Sequence, residues 1–180
     1  MMNDQHPEDD KANRRMGAGM YYAMWILGLG LLTLLFGNIL ERQYNPNPRV
    51  ASQLAADGAR EVVLQRNRYG HYVATGSING KEVTFLLDTG ASNVSVPLAL
   101  ATRLGLEKGP VIFFQTANGT ASGYRTRIDS IRLGAIELRD IDASINPNVE
   151  GDEVLLGMSF LKHLEFTQRG NTLTLRVPES

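Results

Sequence analysis

The chain has 180 residues, enough for one domain and an appendage. Its 18 Lys and Arg residues nearly balance its 19 Asp and Glu residues, which excludes the basic surface that nucleic-acid binding requires. The chain contains no Cys, which excludes disulfides, thiol catalysis and thiolate metal sites. Its three His residues lack zinc-ligand spacing, so neither a metal centre nor a cofactor is expected.

The N-terminal region consists of a polar tail, residues 1–15, followed by 25 residues without a charge, 16–40. A helix with a rise of ~1.5 Å per residue spans the ~30 Å hydrocarbon core of a bilayer over this length. Tyr21, Tyr22 and Trp25 suit the aromatic belt of a membrane interface. The run has neither a small-residue cleavage site nor a polar face. We therefore interpret it as an uncleaved transmembrane helix rather than a signal peptide or a buried core helix.

Basic residues flank this run on both sides. Lys11, Arg14 and Arg15 precede it, and Arg42 and Arg49 follow it. The positive-inside rule then favours a cytoplasmic N-terminus and an exported C-terminal domain.

Residues 41–59 combine Asn-Pro pairs with small polar residues and indicate a linker, with a helical turn at Ser52–Ala56. From residue 60 to 180 the signals are mostly those of β-structure, and we interpret this part as one domain. Its apolar and β-branched runs predict strands at Val62–Arg66, His71–Ile78, Lys81–Leu87, Asn93–Val96, Val111–Ala117, Ala121–Leu133 and 172–177.

Three two-residue turns connect predicted strands: Asn79-Gly80, Asn118-Gly119 and Gly170-Asn171. One short helix is predicted at Pro97–Leu104, with Pro97 at its first position and Gly105 ending it. One or two further helical turns are predicted around Met158–His163. The whole pattern predicts an all-β domain with a closed barrel and one or two short helices.

The octapeptide FLLDTGAS, residues 85–92, ends an apolar strand on the acid Asp88. A carboxylate there is unfavourable unless it is hydrogen-bonded or used for chemistry. Gly90 permits a tight turn and offers its N–H to the carboxylate, while Thr89 and Ser92 supply hydroxyl groups that brace the loop. The local string alone is also compatible with an Asx-turn at the end of a strand.

FLLDTGAS resembles the catalytic loop of the retropepsin-like aspartic proteases, and two later segments are similar to family features in the same order. FFQTANGTASGYRT is similar to the flap, and VLLGMSFLKHLEF is similar to the segment beneath the catalytic loop. The likeness covers about Val62 to Val177 and is strongest to the bacterial, membrane-anchored members. It implies a closed acid-protease β-barrel behind an N-terminal transmembrane helix, in the inner membrane with the domain periplasmic.

The resemblance also assigns roles to residues. It implies that Asp88 is the catalytic acid, that Thr89 bonds across to a partner loop, and that Gly90 makes the turn. It places Asn118 and Gly119 at the flap tip over the substrate. Five residues would support the active site through the loop and the segment beneath it: Ala91, Ser92, Leu155, Leu156 and Gly157.

Acid–base hydrolysis of a peptide bond usually takes two carboxylates sharing a proton, and the motif occurs once. Four other acids are conceivable partners within the chain: Asp129, Asp140, Asp142 and Asp152. None of them follows an apolar strand and precedes Thr/Ser-Gly, so each is expected to be a solvated charge. The alternative source is Asp88 of a second chain, which predicts a homodimer.

The sequence therefore predicts a membrane-anchored, homodimeric aspartic endopeptidase that acts on protein or peptide substrates. One alternative is an anchored β-barrel of the same fold that binds peptides without cleaving them. A second alternative, a purely structural membrane protein, leaves Asp88 without a role.

Overall fold

The computed structural model describes residues 7–55, 58–116 and 119–178, and the chain divides into one unit up to Glu41 and a second from Arg42 onward. Helix α1 runs from Pro7 to Tyr44. Its stretch Gly19–Tyr44 is long and apolar enough to cross a membrane, a criterion of length and composition that a signal sequence also meets. Because none of this stretch is buried, the alternative of a core helix is wrong.

The second unit is built mainly from β-strands. In chain order its elements are β1 (Ala51–Leu54), β2 (Arg60–Gln65), β3 (Tyr72–Ile78), β4 (Lys81–Leu87), β5 (Val94–Pro97), α2 (Leu98–Leu104), β6 (Val111–Thr116), β7 (Gly119–Leu133), β8 (Ile136–Asn146), β9 (Glu153–Leu156), α3 (Met158–Leu161), β10 (Glu165–Arg169) and β11 (Thr172–Arg176).

Six of these strands form a closed ring in the order β3–β4–β9–β5–β8–β7, since β7 pairs back onto β3. The closing contact joins Ser77 to Arg132 and Ile78 to Ile131. Two pairs in the ring, β4 with β9 and β5 with β8, are parallel. The prediction of an all-β domain with a closed barrel and one or two short helices is confirmed, the helices being α2 and α3.

A second sheet, in the order β1–β2–β11–β10, adds its apolar face to the core. Buried and more exposed side chains alternate along its central strands, β2 and β11. The buried ones are Val62, Leu64, Leu173 and Leu175. They belong to the same cluster of buried side chains as the fully buried Phe85, which lies on β4. Together the two sheets hold the strand that leads to Asp88 in a continuous apolar core.

The turn and helix predictions hold in most places. Asn79 and Gly80 both have positive φ, 50° and 78°, as the predicted two-residue turn requires. Gly105 ends α2 in the left-handed conformation, although the helix begins at Leu98 rather than Pro97. Gly170, with φ of 58°, lies in the predicted turn between β10 and β11.

The β6–β7 hairpin departs from the prediction at Gly119. This residue, predicted in the turn, is already part of β7 and pairs with Thr116. Asn118, predicted at the flap tip, lies outside the described residues. Gly119 has a φ of 110°, which side-chain-bearing residues rarely adopt.

The helical turn predicted at Ser52–Ala56 is wrong. Residues 51–54 form β1, which pairs antiparallel with β2, because cross-strand pairing outweighs the helix propensity of this Ala-rich string. Asn47, within the segment predicted as a linker, is only 5% exposed. Its side chain bonds β2 and β3 together, with Nδ2 donating to the carbonyls of Gln65 at 2.9 Å and Val73 at 2.7 Å.

Candidate active site

Asp88 follows β4 directly, at the end of the barrel where β4 runs parallel to β9. Leu87 pairs with Leu156, and the N–H of Asp88 donates to the Leu156 carbonyl at 3.2 Å. Leu156 and Phe85 are fully buried, so both strands are fixed by packing. Asp88 is therefore attached to a rigid part of the fold, as the precise positioning of a catalytic group requires.

The loop after Asp88 turns back onto its own carboxylate. The N–H of Gly90 donates to Asp88 Oδ1 at 2.8 Å, and the N–H of Ala91 donates to the Asp88 carbonyl at 3.3 Å. The first bond makes an Asx-turn and the second is the backbone bond of a β-turn, so the local string forms the tight turn that its residues favour. This turn alone does not distinguish a structural Asp from a catalytic one. The residues around the loop must be considered to distinguish the two roles.

The segment after β9 holds the other side of the loop. The N–H of Met158 donates to the Ala91 carbonyl at 2.7 Å, and that of Ser159 donates to the Ser92 carbonyl at 3.0 Å. Gly157 is buried, and a methyl group there would lie 2.6 Å from the Ala91 carbonyl oxygen. The absence of a side chain at Gly157 therefore lets the two segments meet.

Ser159 is a supporting residue that the sequence analysis missed. It is buried, and its Oγ accepts a hydrogen bond from the N–H of Val94 at 2.9 Å, which fixes the chain where it leaves the loop. The signal in the sequence was a single hydroxyl within the apolar run around Met158–Leu161. Of the predicted supporting residues, Leu156 is buried and Leu155 is half-buried.

The loop itself is open to solvent in a single chain. Asp88, Thr89, Gly90 and Ser92 are exposed, and Ala91 is half-buried. Among the described residues, the hydroxyl of Thr89 has no hydrogen-bond partner. The structure thus brings the predicted catalytic and supporting residues together around one surface that nothing in the described chain covers.

The four other candidate acids lie elsewhere on the surface. Asp140 and Asp142 form ion pairs with Arg127 and Arg125 on β7, and Asp152 forms one with Arg103. The remaining acid, Asp129, is exposed on β7. None of the four shares the surroundings of Asp88, as expected for solvated charges.

The β6–β7 hairpin carries apolar side chains that the sequence analysis did not single out. Val111 is 57% exposed and Phe113 is 75% exposed, on the same side of β6. Alternation in the string VIFF is the signal that places both on one face. Within the described strands β6 pairs only with β7, so its outer edge is open.

A separate open groove of about 630 Å³ lies between the 105–110 loop and β7. It is lined by charged residues of both signs, among them Lys108, Arg125 and Asp129, and its lining does not include Asp88. Among the described residues, no group of three His, Asp or Glu side chains is placed to hold a metal ion.

The chain is similar in sequence to one protein family and to two bacterial proteins. The sequence model of the gag-polyprotein putative aspartyl protease family matches residues 74–163. An uncharacterized protein from the cobV 5′ region of Sinorhizobium sp. is 37% identical over 145 residues, 78% of this chain and 62% of that protein. An uncharacterized protein of Rickettsia prowazekii is 27% identical over 108 residues, 58% of this chain and 46% of that protein.

The chain thus spans about half to three-fifths of the length of these relatives. Among solved structures, a retropepsin-like aspartic protease from Rickettsia conorii superposes with a TM-score of 0.54 at 23% identity, covering 72% of this chain and 95% of that one. This likeness establishes a shared fold.

Proposed function

The chain belongs to the retropepsin-like aspartic proteases, and from this premise we propose that it is a membrane-anchored endopeptidase whose active site forms between two copies. The observation that carries the proposal is the exposed Asp88, held at the end of a buried strand by the Gly90 N–H. The described part of the domain offers one such acid, and in this proposal a two-fold axis beside it supplies the second.

Two Asp88 carboxyl groups facing each other across the two-fold axis would share one proton, because two like charges at that distance repel strongly. The ionised carboxylate takes a proton from a bound water as the water oxygen attacks the peptide carbonyl carbon. The protonated carboxyl donates its proton to the carbonyl oxygen. The carboxyl that received the water proton then donates it to the amide nitrogen and the C–N bond breaks, while the other carboxylate takes a proton from a hydroxyl of the tetrahedral intermediate as the C=O bond re-forms. No covalent bond to the enzyme forms.

The neighbouring residues have positioning roles in this proposal. The Thr89 hydroxyl, unpaired among the described residues, bonds to the loop of the second chain. Gly157 and Ser159 keep the two loops at the spacing that the shared proton needs. The β6–β7 hairpin covers the substrate, with Val111 and Phe113 as apolar contacts for an extended peptide. The substrate is a protein or peptide, and no cofactor takes part.

The anchor is the stretch Gly19–Tyr44. Basic residues before it support an orientation with the N-terminus in the cytoplasm and the protease domain periplasmic, at the bacterial inner membrane. A reporter enzyme fused after Ser180 tests this. Activity of a reporter that functions only outside the cytoplasm supports the topology, and activity of a cytoplasmic reporter contradicts it.

Cleavage and binding are separated by one experiment on the full chain. A statine-type mimic of the tetrahedral intermediate should inhibit peptide cleavage by the wild type. Asp88→Asn should lower the rate at least ~10²-fold, since it removes the general acid–base pair. Asp152→Asn, which changes an exposed, ion-paired acid, is the matched control and should retain activity. Peptide binding without cleavage by the wild type would instead indicate a binding module.

A further inference from the structure

The loop between β2 and β3, residues 66–70, carries a cluster of basic and aromatic side chains. Its sequence is RNRYG, and Arg66, Arg68 and Tyr69 are exposed. Tyr69 is 59% exposed, and the guanidinium carbon of Arg68 lies 5.1 Å from the centre of its ring. The proposed catalytic mechanism assigns no role to this cluster.

The loop has a defined conformation because Asn67 organises it. This side chain is 7% exposed, and its Oδ1 accepts hydrogen bonds from the N–H groups of Tyr69 and His71, each at 2.9 Å. Nε of Arg66 donates to the Gly70 carbonyl at 2.8 Å. Arg66, Arg68 and Tyr69 are therefore held in fixed positions rather than on a flexible loop.

The same loop is bonded to the last two residues of α1. Nδ2 of Asn67 donates to the Tyr44 carbonyl at 3.0 Å, and Nη1 of Arg68 donates to Gln43 Oε1 at 2.6 Å. The rings of Tyr44 and Tyr69 are 6.5 Å apart. Tyr44 also donates its hydroxyl to the Glu153 carboxylate, at 2.7 Å and 2.6 Å to the two oxygens.

These contacts define one surface, the juxtamembrane surface, made of Tyr44, Arg66, Arg68 and Tyr69. Arg42 lies in the last turn of α1, and Tyr44 ends that helix four residues beyond the uncharged run 16–40. Only residues 41 and 42 separate this run from Gln43, where the hydrogen bonds to the loop begin. The loop itself contains no acidic residue.

We infer that the juxtamembrane surface binds the anionic phospholipid headgroups of the bilayer that α1 enters. The inference rests on the membrane anchor of the proposed function. A loop bonded to the end of a membrane span lies at the depth of the headgroups, where Tyr rings are favoured. Arg66 and Arg68 complement the headgroup phosphates, and each arginine favours the lipid-bound loop about fivefold near an anionic surface. The domain is thereby held to the bilayer by a second contact besides the helix.

The test uses the full chain in nanodiscs whose lipids carry bromine on the acyl chains near the headgroup, a short-range quencher of Trp fluorescence. Trp25, the sole Trp, is changed to Phe, and Tyr69→Trp reports on the loop. Phe166→Trp, at an exposed aromatic position on β10, is the matched control. Nanodiscs of phosphatidylcholine alone are compared with nanodiscs that also contain phosphatidylglycerol.

We expect quenching at position 69 but not at position 166, and stronger quenching when phosphatidylglycerol is present. Changing both Arg66 and Arg68 to Gln should remove the dependence on phosphatidylglycerol. Changing both to Lys should preserve it, because charge rather than the hydrogen bonds of Arg attracts the lipid. Equal signals at the two positions, or no effect of phosphatidylglycerol, would overturn the inference and leave the surface to a protein partner.

The outcome is independent of catalysis. A quenched position 69 in a chain that cleaves no peptide would uphold the lipid contact while the proposed protease function fails. A chain that does not remain with the nanodiscs would refute the anchor and this inference together. Cleavage without quenching would refute the lipid contact alone.

Discussion

The backbone N–H of Gly90 donates to Oδ1 of Asp88 across 2.8 Å, so the residue that turns the loop also orients the carboxylate. A methyl group at Gly90 would lie 3.1 Å from that oxygen, so a side chain there would push the carboxylate slightly out of place. Asp88 is therefore positioned by a backbone group two residues away, and its orientation does not depend on a flexible side chain.

Gly90→Ala tests this relationship. The added methyl group should displace the carboxylate by a few tenths of an ångström, and the rate of peptide cleavage should fall at least ~10-fold because catalytic groups tolerate little displacement. The melting temperature should change little, since the loop is exposed. Kinetics and thermal unfolding of the same preparation check this. A variant with wild-type kcat would show that the Gly90 contact does not position the acid.

Gly157→Ala should impair both folding and activity. Its methyl group would collide with the carbonyl oxygens of Ala91 and Asn93, and relieving such overpacking costs typically about 1–3 kcal/mol of unfolding free energy. Denaturant unfolding measures this loss. Thr167→Ala, at an exposed position on β10, is the control and should be close to neutral. Unchanged stability of Gly157→Ala would mean that the loop and β9 do not pack as described.

The β6–β7 hairpin is predicted to act as a lid whose distortion harms turnover more than stability. Gly119→Val places a β-branched residue at a φ of 110°, and the hairpin should be distorted. Gly80→Val, at a φ of 78° in the barrel turn between β3 and β4, is the matched control. We expect Gly119→Val to reduce kcat/KM with a small change in Tm, and Gly80→Val to lower Tm. A large Tm loss in Gly119→Val with unchanged kinetics would place the hairpin in the folding core instead.

Asn47 is predicted to make the segment after α1 part of the folded domain. Its side chain forms hydrogen bonds with the backbone of Gln65 on β2 and Val73 on β3. Because Asn47→Ala leaves these backbone groups without partners, it should lower the unfolding free energy by about 2 kcal/mol or more. Asn148→Ala removes an exposed Asn side chain whose amide donates to the Ser122 carbonyl at 3.2 Å, and it is the control with a small effect. Equal melting temperatures for the two variants would contradict this role.

The parts of the fold that the sequence predicts are those encoded by local chemistry. The turn at Asn79-Gly80 follows from two residues that tolerate positive φ, and the loop at Asp88 follows from the carboxylate and the small Gly90. Each of these features is determined within a few residues of chain. Long-range contacts do not override these two turns, so the local sequence is enough to predict them.

The alternation along β8, a strand that the sequence analysis does not predict, changes phase. Ile136 and Ile141 are both buried, five residues apart, and Asp140 between them has a φ of 57°. The partner strand β7 changes phase at the same level, where Ile128 and Ile131 are both buried around Asp129. A strict period of two fails on both strands, although the pairing register continues across the irregular position.

Some contacts that support the candidate site could not be predicted from the sequence. Ser159 supports the chain at Val94 through a contact between residues 65 positions apart, and no local pattern encodes such a contact. The pairing of β1 with β2 is likewise tertiary, and it replaces the helical turn that Ala-rich residues favour locally. In the proposed dimer the second catalytic acid belongs to another chain, so no pattern within one sequence locates it.

The central claim is that activity needs two chains, each contributing one Asp88. We therefore propose mixing full-length wild type with Asp88→Asn under conditions where subunits exchange, and measuring cleavage per wild-type chain. Asp152→Asn serves as the matched control and should not suppress activity. If mixed pairs are inactive, random pairing in a two-fold dimer lowers the activity per wild-type chain to about one half at equal amounts and to about one tenth at ninefold excess. Activity per wild-type chain that stays constant at every ratio would contradict the claim and place the second acid in the same chain.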